Sequence, residues 1–341
     1  MSCSWRGTDR GGGGAAGAPL GRHPRSSARV RIAYIILAHR YPDHLIRLIE
    51  RLSADGARFF VHIDKKAPAE VSRRVIEAFR PAPHVHLVPR HRVVWGRFGV
   101  VQATLEGIGE IVRRRFACDF GILLSGQDYP IKSNAQIFDY LAHHKGQSFL
   151  DYERLPSPRR WLNENGGLNR IEYWHFRVGD LPLEFPRPFP AHTAAGRIAA
   201  RAWAGLCRAF PRKRTLPNGL VPYGGSAFWC LTGACLRYVY DFSLRHRNVA
   251  RFFRYVDVPD EVFFQTIVMN SAYRHAVIND NLRYVAWPKL PAAHPEILGE
   301  DDFERIVTSG KLFARKFDPA HSARLLEMID QRIGGAGDRR D

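Results

Sequence analysis

Two short stretches of the chain combine residue types that could do acid–base chemistry. The first is a Gly-Gly-Ser turn at residues 224–226, and the second is Pro259-Asp260-Glu261. We expect the second to open a helix, because proline suits a first helical turn. The dipole of that helix would keep Glu261 ionised at neutral pH, as a general base must be. Acidic residues also follow proline at many helix starts that have no catalytic role, so the pattern alone leaves both interpretations open.

Alternating strands and helices in the first half of the chain provide the elements that position such residues. The predicted strands are continuous apolar runs, as in strands that are buried on both faces. They cover residues 32–39, 59–64, 85–88 and 120–124, with helices at 42–54, 68–79 and 99–115. Further helices are expected at 232–247 and 303–309. This alternation predicts an α/β fold with a central, mostly parallel sheet flanked by helices.

Polar or aromatic residues follow the predicted strands, namely His39, Asp64, Trp95 and Asp128. Ligands of such sheets bind beyond the carboxyl ends of the strands. Any one of these residues could simply turn into solvent, but four in succession favour a ligand site at this rim.

Several common active-site motifs are missing from the sequence. No G-x-G-x-x-G or G-x-x-x-x-G-K-[ST] follows the first strand, which argues against dinucleotide and P-loop enzymes. The sequence has no G-x-S-x-G, no H-E-x-x-H and no D-x-D. Asp301-Asp302 are adjacent and are expected to cap the helix after them.

Composition bounds the class of protein. The 341 residues are 45% hydrophobic, enough for one large domain or two smaller ones. Five irregularly spaced cysteines favour a reducing compartment. No apolar run is long enough for a spanning helix or a signal peptide, so we expect a cytoplasmic protein. The net charge of +18 suggests phosphorylated ligands, an anionic membrane or nucleic acid as partners.

Seven motifs together resemble one family. The motifs are Ile-Leu-Ala-His (36–39), Val-His-Ile-Asp-Lys-Lys (61–66), Val-Val-Trp-Gly (93–96), Leu-Ser-Gly-Gln-Asp-Tyr-Pro-Ile (124–131), Gly-Gly-Ser-Ala-Phe-Trp (224–229), Pro-Asp-Glu-Val-Phe-Phe-Gln-Thr (259–266) and Phe-Ala-Arg-Lys-Phe-Asp (313–318). On these motifs the chain is similar to glycosyltransferase family 14, the core-2/I-branching β1,6-N-acetylglucosaminyltransferases and peptide O-xylosyltransferases, as a bacterial-type member without a transmembrane anchor. The resemblance implies a GT-A-like fold, a UDP-sugar donor, inversion at the anomeric carbon and a glycan, protein or lipid-linked acceptor.

The resemblance also implies roles for individual residues. Glu261 matches the catalytic base. The implied donor-binding residues are Leu37, Asp64, Val94, Trp95, Ala227, Phe228, Arg315 and Lys316. Arg315 and Lys316, joined by Lys311, would hold the diphosphate without a metal, so no cofactor is expected. Ala227 stands where xylosyltransferases carry an Asp, which puts a xylose donor in doubt. Further candidate contacts are Asp128, Trp174 and Asp260.

The chain divides into a Gly-rich tail (1–28), a transferase domain (29–333) and a second tail (334–341). Within the domain, residues 29–150 would bind the nucleotide sugar and 151–333 the acceptor. Aromatic residues at 161 and 173–175 could form an acceptor surface or simply belong to the core. Residues 193–214 form a basic amphipathic segment that could lie on an anionic membrane or pack as a surface helix. The rival hypothesis is a basic nucleic-acid- or membrane-binding protein on a catalytically degenerate transferase fold.

Overall fold

A computed structural model describes residues 30–80, 82–178, 181–185, 194–209, 213–288 and 294–335. The first part of the chain contains β1 (Ile32–Ala38), α1 (Pro42–Leu52), β2 (Ala57–Ile63), α2 (Ala69–Phe79), β3 (Val85–Leu87), α3 (Gly99–Arg113), β4 (Phe120–Ser125), β5 (Asp128–Pro130), α4 (Asn134–His143) and β6 (Ser148–Leu150). The middle part contains β7 (Glu153–Arg154), α5 (Leu168–Glu172), β8 (Trp174–Val178), β9 (Leu181–Phe185), α6 (Ala194–Ala209), β10 (Tyr223–Gly224), β11 (Trp229–Thr232), α7 (Gly233–Arg245) and α8 (Arg247–Phe253). The last part contains α9 (Phe263–Met269), β12 (Val277–Ile278), β13 (Arg283–Val285), α10 (Phe303–Thr308), β14 (Phe313–Arg315) and α11 (Ala323–Gly335).

A seven-stranded sheet forms the centre of the molecule, in the order β12-β6-β11-β4-β1-β2-β3. Strand β1 pairs in parallel with β2 and β4, and β2 pairs in parallel with β3. Strand β11 runs antiparallel to both its neighbours, and β12 is parallel to β6. The predicted α/β fold with a mostly parallel central sheet is therefore confirmed.

Strand β1 is buried on both faces because alternate side chains enter different cores. Ile32, Tyr34 and Ile36 pack into one hydrophobic cluster, with Leu45 and Leu48 of α1 among its other members. Ala33 and Ile35 pack into a second cluster that includes residues of α3 and α9. Burial on both sides explains why the run from residue 32 onward is continuously apolar.

A smaller sheet in the order β13-β14-β5 brings residues distant in sequence to the rim. Strands β14 and β5 are antiparallel, and their register places Arg315 opposite Asp128. The remaining pairs are the β8–β9 hairpin and the two-residue pairing of β7 with β10.

The structure changes several predicted boundaries in the second half. Helix α7 ends at Arg245 rather than 247, and the Thr232 hydroxyl caps its start by accepting from the N–H of Cys235 at 3.3 Å. Pro259–Glu261 form a 3₁₀ turn, and the helix begins at Phe263. Asp302 makes no capping bond to α10, because its Oδ2 accepts from the N–H of Gly299 at 2.9 Å.

The predicted division into two halves stays a prediction, although segments from both halves contribute strands to the central sheet. The first tail (1–28) lies outside the described residues. Helix α11 continues to Gly335 and so includes the first two residues of the predicted second tail. In the part of the chain that the structure describes, no helix is both long and apolar enough to span a membrane.

Candidate active site

The carbonyl of Glu261 holds the Gly-Gly-Ser turn. It accepts a 2.8 Å hydrogen bond from the N–H of Gly225. A Cβ at Gly225 would lie 1.9 Å from the carbonyl oxygen of Asp151, and one at Gly224 would lie 2.6 Å from the Trp161 ring. Only glycines therefore allow this segment to lie between the turn that holds Glu261 and its neighbours.

The side chain of Glu261 is fixed by a buried arginine that the sequence did not suggest. Nη1 of Arg170 lies 2.7 Å from Glu261 Oε2. The same guanidinium pairs with Glu164 and lies 4.2 Å above the ring of Trp161. The side chain of Glu261 is 29% exposed, so its carboxylate remains within reach of a substrate.

Glu261 lies in a three-residue turn and not in the first turn of a helix as expected, because α9 starts two residues later. Burial raises the pKa of Glu261, and Arg170 offsets part of that rise. Burial and the charge of Glu261 together raise the pKa of neighbouring Asp260 to about 7. Oδ1 of Asp260 is buried without a hydrogen-bond partner. We therefore assign the control of this carboxylate pair to burial and Arg170 rather than to a dipole.

The residues expected to contact the donor nucleoside lie at the carboxyl edge of the sheet. Leu37 is half-buried near the end of β1, and Asp64 directly follows β2. Oδ1 of Asp64 accepts hydrogen bonds from the N–H groups of Lys66 (2.9 Å) and Val93 (3.2 Å). Asp64 is only 6% exposed, and its hydrogen bond to Val93 holds the loop 93–96 in place.

This loop carries Val94 and Trp95, and it also contacts the residue before the turn that holds Glu261. Trp95 is 62% exposed, with its ring edge-on to His294 at 5.3 Å between centroids. The carbonyl of Gly96 accepts from the N–H of Val258 at 3.1 Å, immediately before the turn that holds Glu261. The loop expected to line the nucleoside pocket is thus joined to the turn of the candidate base by the hydrogen bond between Gly96 and Val258.

Positive charge gathers at the same rim. The guanidinium of Arg315 lies 4.2 Å from the centroid of Phe228. Burial lowers the pKa of Lys316, and the charges of Arg40 and Arg315 lower it further. Burial and these cations also lower the pKa of His294. Such a cluster favours a bound anion, because an anion would relieve the mutual repulsion.

Two charged residues near this cluster do not take their predicted places. Lys311 Nζ lies 2.6 Å from Asp280 Oδ2, so Lys311 is engaged elsewhere and does not join the pair at 315–316. The side chain of Asp128 is fully buried, and its Oδ2 accepts from the N–H of Ser125 at 2.6 Å. Its Oδ1 lies 3.6 Å from Arg315 Nε. The carboxylate of Asp128 therefore positions the guanidinium of Arg315. Because Asp128 is fully buried, it cannot contact a ligand or metal directly in this conformation.

Two guanidinium groups lie close to the ring of Phe228, which explains an aromatic residue after Ala227. The guanidinium of Arg283 lies 5.1 Å from the centroid of the Phe228 ring, and Arg283 itself is buried. The turn before it is held by Gln265, whose Nε2 donates to the carbonyl of Ser226 at 2.5 Å. No described polar side chain at Ala227 replaces the Asp of xylosyltransferases.

A family model described as Core-2/I-Branching enzyme matches residues 32–307. The chain belongs to the Core-2/I-branching enzyme family. The resemblance is confirmed, and with it the expectation of the glycosyltransferase class, although the motif at 313–318 lies beyond the matched residues.

Relatives of this Core-2/I-branching chain include xylosyltransferases. Xylosyltransferase 2 of Canis lupus familiaris and of Homo sapiens are each 25% identical to it over 338 residues, covering 92% of this chain and 35% of the relative. Xylosyltransferase 1 of Homo sapiens is 24% identical over 330 residues, covering 90% and 31%. The chain thus spans about a third of the length of these relatives. A solved structure, the mannosyltransferase Ktr4p from S. cerevisiae, gives a TM-score of 0.31 at 9% identity over 72% of this chain and 67% of that one. This similarity is too low to support an inference.

Trp174 lies apart from these donor residues. Its ring stacks on Phe176 at 5.9 Å and lies edge-on to Tyr255 at 5.3 Å. The guanidinium of Arg214 lies 4.4 Å from it. Trp161, by contrast, lies at the candidate base. The predicted aromatic acceptor surface of this Core-2/I-branching chain is therefore divided between two places.

The basic segment 193–214 is described only in part. Within α6, Arg197, Ile198 and Arg201 are exposed, but the side chains of Leu206 and Arg208 and the whole of Phe210 lie outside the described residues. Arg214 is buried at 7% exposure, so it does not add to a charged surface as predicted. Membrane contact by this segment stays a prediction.

Three arginines of this site were missed from the sequence. Arg40 follows His39 at the end of β1, so the strand-end rule could have found it; its Nη2 donates to Gln127 Oε1 at 3.0 Å. Arg170 and Arg283 carry no local signal, because each reaches the site from an element distant in sequence.

Proposed function

We propose that this chain is an inverting, metal-independent glycosyltransferase that moves a sugar from a UDP-sugar to a hydroxyl of a glycan or protein acceptor. One structural relationship supports this most strongly. The segment 225–228 touches the base at one end, where the Gly225 N–H meets the Glu261 carbonyl at 2.8 Å, and the cations at the other, where Phe228 lies under Arg315 at 4.2 Å. One short segment thus contacts both the backbone of the candidate base and the guanidinium of Arg315, which supports a sugar carbon bound between base and cations.

In the proposed reaction Glu261 takes the proton of the acceptor hydroxyl. The acceptor oxygen attacks the anomeric carbon from the face opposite the UDP, and the bond from that carbon to the β-phosphate oxygen breaks. The bonding electron pair leaves with UDP, and the configuration of the sugar carbon inverts. A single base suffices because only one proton is moved in the displacement. Glu261 then releases this proton to solvent.

The leaving UDP gains negative charge, which must be stabilised in the transition state. Arg315 offers a planar fork for phosphate oxygens, and Lys316 offers a compact charge. Arg40 contributes to the same positive field, because its charge lowers the pKa of Lys316. Together with the missing D-x-D in the sequence, this supports phosphate binding by protein cations without a cofactor.

Two donors remain candidates. Xylose is supported by the names of the relatives, which are xylosyltransferases. N-acetylglucosamine is supported by Ala227, because a methyl group cannot supply the hydrogen bonds of a carboxylate to sugar hydroxyls. A lipid-linked acceptor is also compatible with the proposal.

A donor-hydrolysis screen over a panel of UDP-sugars tests this function. We expect UDP release from UDP-N-acetylglucosamine or UDP-xylose, and no release by Glu261→Gln. No turnover with any donor, in folded protein, would contradict the proposal. Salt-sensitive binding of nucleic acid in that case would instead support the rival hypothesis of a degenerate transferase fold.

A further inference from the structure

A cavity of about 480 Å³ has Tyr255, which precedes the turn 259–261, in its lining and contains none of the expected donor residues named above. Its aromatic walls are Trp174, Phe252 and Tyr255. This volume falls in the range of small-molecule sites, about 300–1,000 Å³. Flat aromatic faces suit the apolar C–H faces of sugar rings.

The cavity is connected to the candidate base through two backbone hydrogen bonds. The carbonyl of Tyr255 accepts from the N–H of His175 at 3.1 Å, and the N–H of Asp257 donates to the carbonyl of Arg170 at 3.1 Å. Arg170 in turn pairs with Glu261. The two chain segments that line the cavity therefore also hold the candidate base.

Charge in the cavity favours an anionic occupant. Arg214 is buried and packs between Phe252 (3.8 Å) and Trp174 (4.4 Å). Its Nη1 donates to the carbonyl of Tyr255 at 2.8 Å. Among the described residues no carboxylate pairs with it, and burial lowers its pKa to about 10. A buried cation that has only carbonyl partners gains from a nearby negative charge.

Two further groups in the cavity could bind such an occupant. Arg251 lines the cavity and is exposed, with no ion pair in the described part of the chain. Nε1 of Trp174 is buried without a hydrogen-bond partner. A buried N–H donor of this kind normally has an acceptor, which a sugar or acid oxygen would provide. Lys213 also lines the cavity, but its charge is met by Glu172 at 2.8 Å.

We propose that this cavity, formed by Trp174, Arg214, Arg251, Phe252 and Tyr255, is a subsite for an acidic sugar unit of the acceptor. The proposal rests on the proposed function, because it assumes that the acceptor is a glycan. The exposed ring of Tyr255 contacts the face of the sugar, since the faces of Trp174 and Phe252 pack against Arg214, and the arginines meet the acid group. The acceptor class is thus an acidic glycan rather than a neutral one.

Calorimetry on the whole chain without donor tests this subsite. The probes are a hyaluronan tetrasaccharide, which carries glucuronate, and the same tetrasaccharide with its carboxyl groups reduced to alcohols. We expect the acidic probe to bind and the neutral one to bind at least tenfold more weakly. UDP binding is measured separately on the same sample, so that a failed donor site is recognised on its own.

Arg251→Gln should weaken the acidic probe roughly ten- to a hundredfold, the loss of one charge-assisted contact. The matched control is Arg254→Gln on the same stretch, an exposed arginine that does not line the cavity. Trp174→Phe keeps an aromatic wall and removes only the N–H donor, so it should weaken both probes. Equal binding of the two tetrasaccharides, or equal effects of the two arginine variants, would overturn the proposal. So would failure of the acidic probe to bind a protein that binds UDP.

Discussion

Arg170 Nη1 lies 2.7 Å from Glu261 Oε2, and this contact joins a helix of the middle segment to the candidate base. Arg170 is itself held by Glu164 and the Trp161 ring. Arg170, which lies 91 positions upstream in the sequence, therefore offsets part of the rise that burial causes in the pKa of Glu261.

The pH dependence of turnover should report this ion pair. Burial raises the pKa of Glu261, and Arg170 opposes the rise. Because a base works only when ionised, kcat/KM should fall as pH drops through that raised pKa. Arg170→Gln removes the opposing charge, so the acidic limb of the profile should move to higher pH.

The control for this profile is Arg73→Gln, which breaks an exposed ion pair with Glu70 on α2. Its profile should match that of the wild type. An unchanged acidic limb in a folded Arg170→Gln protein would show that Arg170 does not tune the base.

Removing the carboxylate of Glu261 should stop transfer while leaving donor binding intact. Glu261→Gln keeps the shape and the carbonyl that holds Gly225, but it cannot take a proton. Single-turnover transfer and UDP calorimetry on the same preparation separate the two effects. Activity within about tenfold of wild type, a barrier change of only ~1.4 kcal/mol, would remove Glu261 from this role.

Asp64 should affect UDP affinity through the loop that it holds. Asp64→Ala frees the N–H groups of Lys66 and Val93, so we expect UDP affinity to fall by ~1–3 kcal/mol with no sugar present. Trp95→Ala should weaken UDP binding by removing the exposed wall itself. If Asp64 acts by holding this wall, the double variant should lose less than the sum of the two single losses. Unchanged UDP affinity in folded Asp64→Ala would exclude it from the site.

The Gly-Gly turn gives a stability prediction. Gly225→Ala places a methyl group 1.9 Å from the Asp151 carbonyl oxygen, so the backbone must shift at a cost of ~1–3 kcal/mol in the free energy of unfolding. Gly205 in α6 is the matched control, because nothing lies within 4 Å of its added Cβ. Gly205→Ala should leave stability unchanged or raise it by up to ~1 kcal/mol. Thermal denaturation of both variants makes the comparison.

The sequence predicted what depends on local pattern and missed what depends on distant contact. The strand at 32–38 was clear because burial on both faces leaves a continuous apolar run. Strand β11 was missed because its four residues, 229–232, are too few to show a period and run against their neighbours. The role of Arg170 was missed for a related reason, since nothing near it in the sequence marks its approach to Glu261. Asp128 follows the fourth strand, as the sequence indicates, but only the β5–β14 register shows that it is paired with Arg315.

Cations of the chain should replace a metal at the leaving diphosphate. Turnover should therefore survive excess EDTA. Lys316→Ala should lower kcat/KM and weaken UDP binding together, because the diphosphate is present in both states, and one charge-assisted contact is worth ~1.5–3 kcal/mol.

Lys311→Ala is the matched control for Lys316→Ala, because the Lys311 ammonium already pairs with Asp280 at 2.6 Å and should contribute nothing to UDP affinity. Phe228→Leu tests the aromatic support beneath Arg315 and should weaken UDP binding less than Lys316→Ala, because the charge stays but its position loosens. If EDTA stops the reaction and Mn²⁺ restores it, the transition-state charge is met by a metal. Arg315 and Lys316 would then only shape the rim. Asp128 is buried, so it could reach that metal only after a rearrangement of β5 and β14.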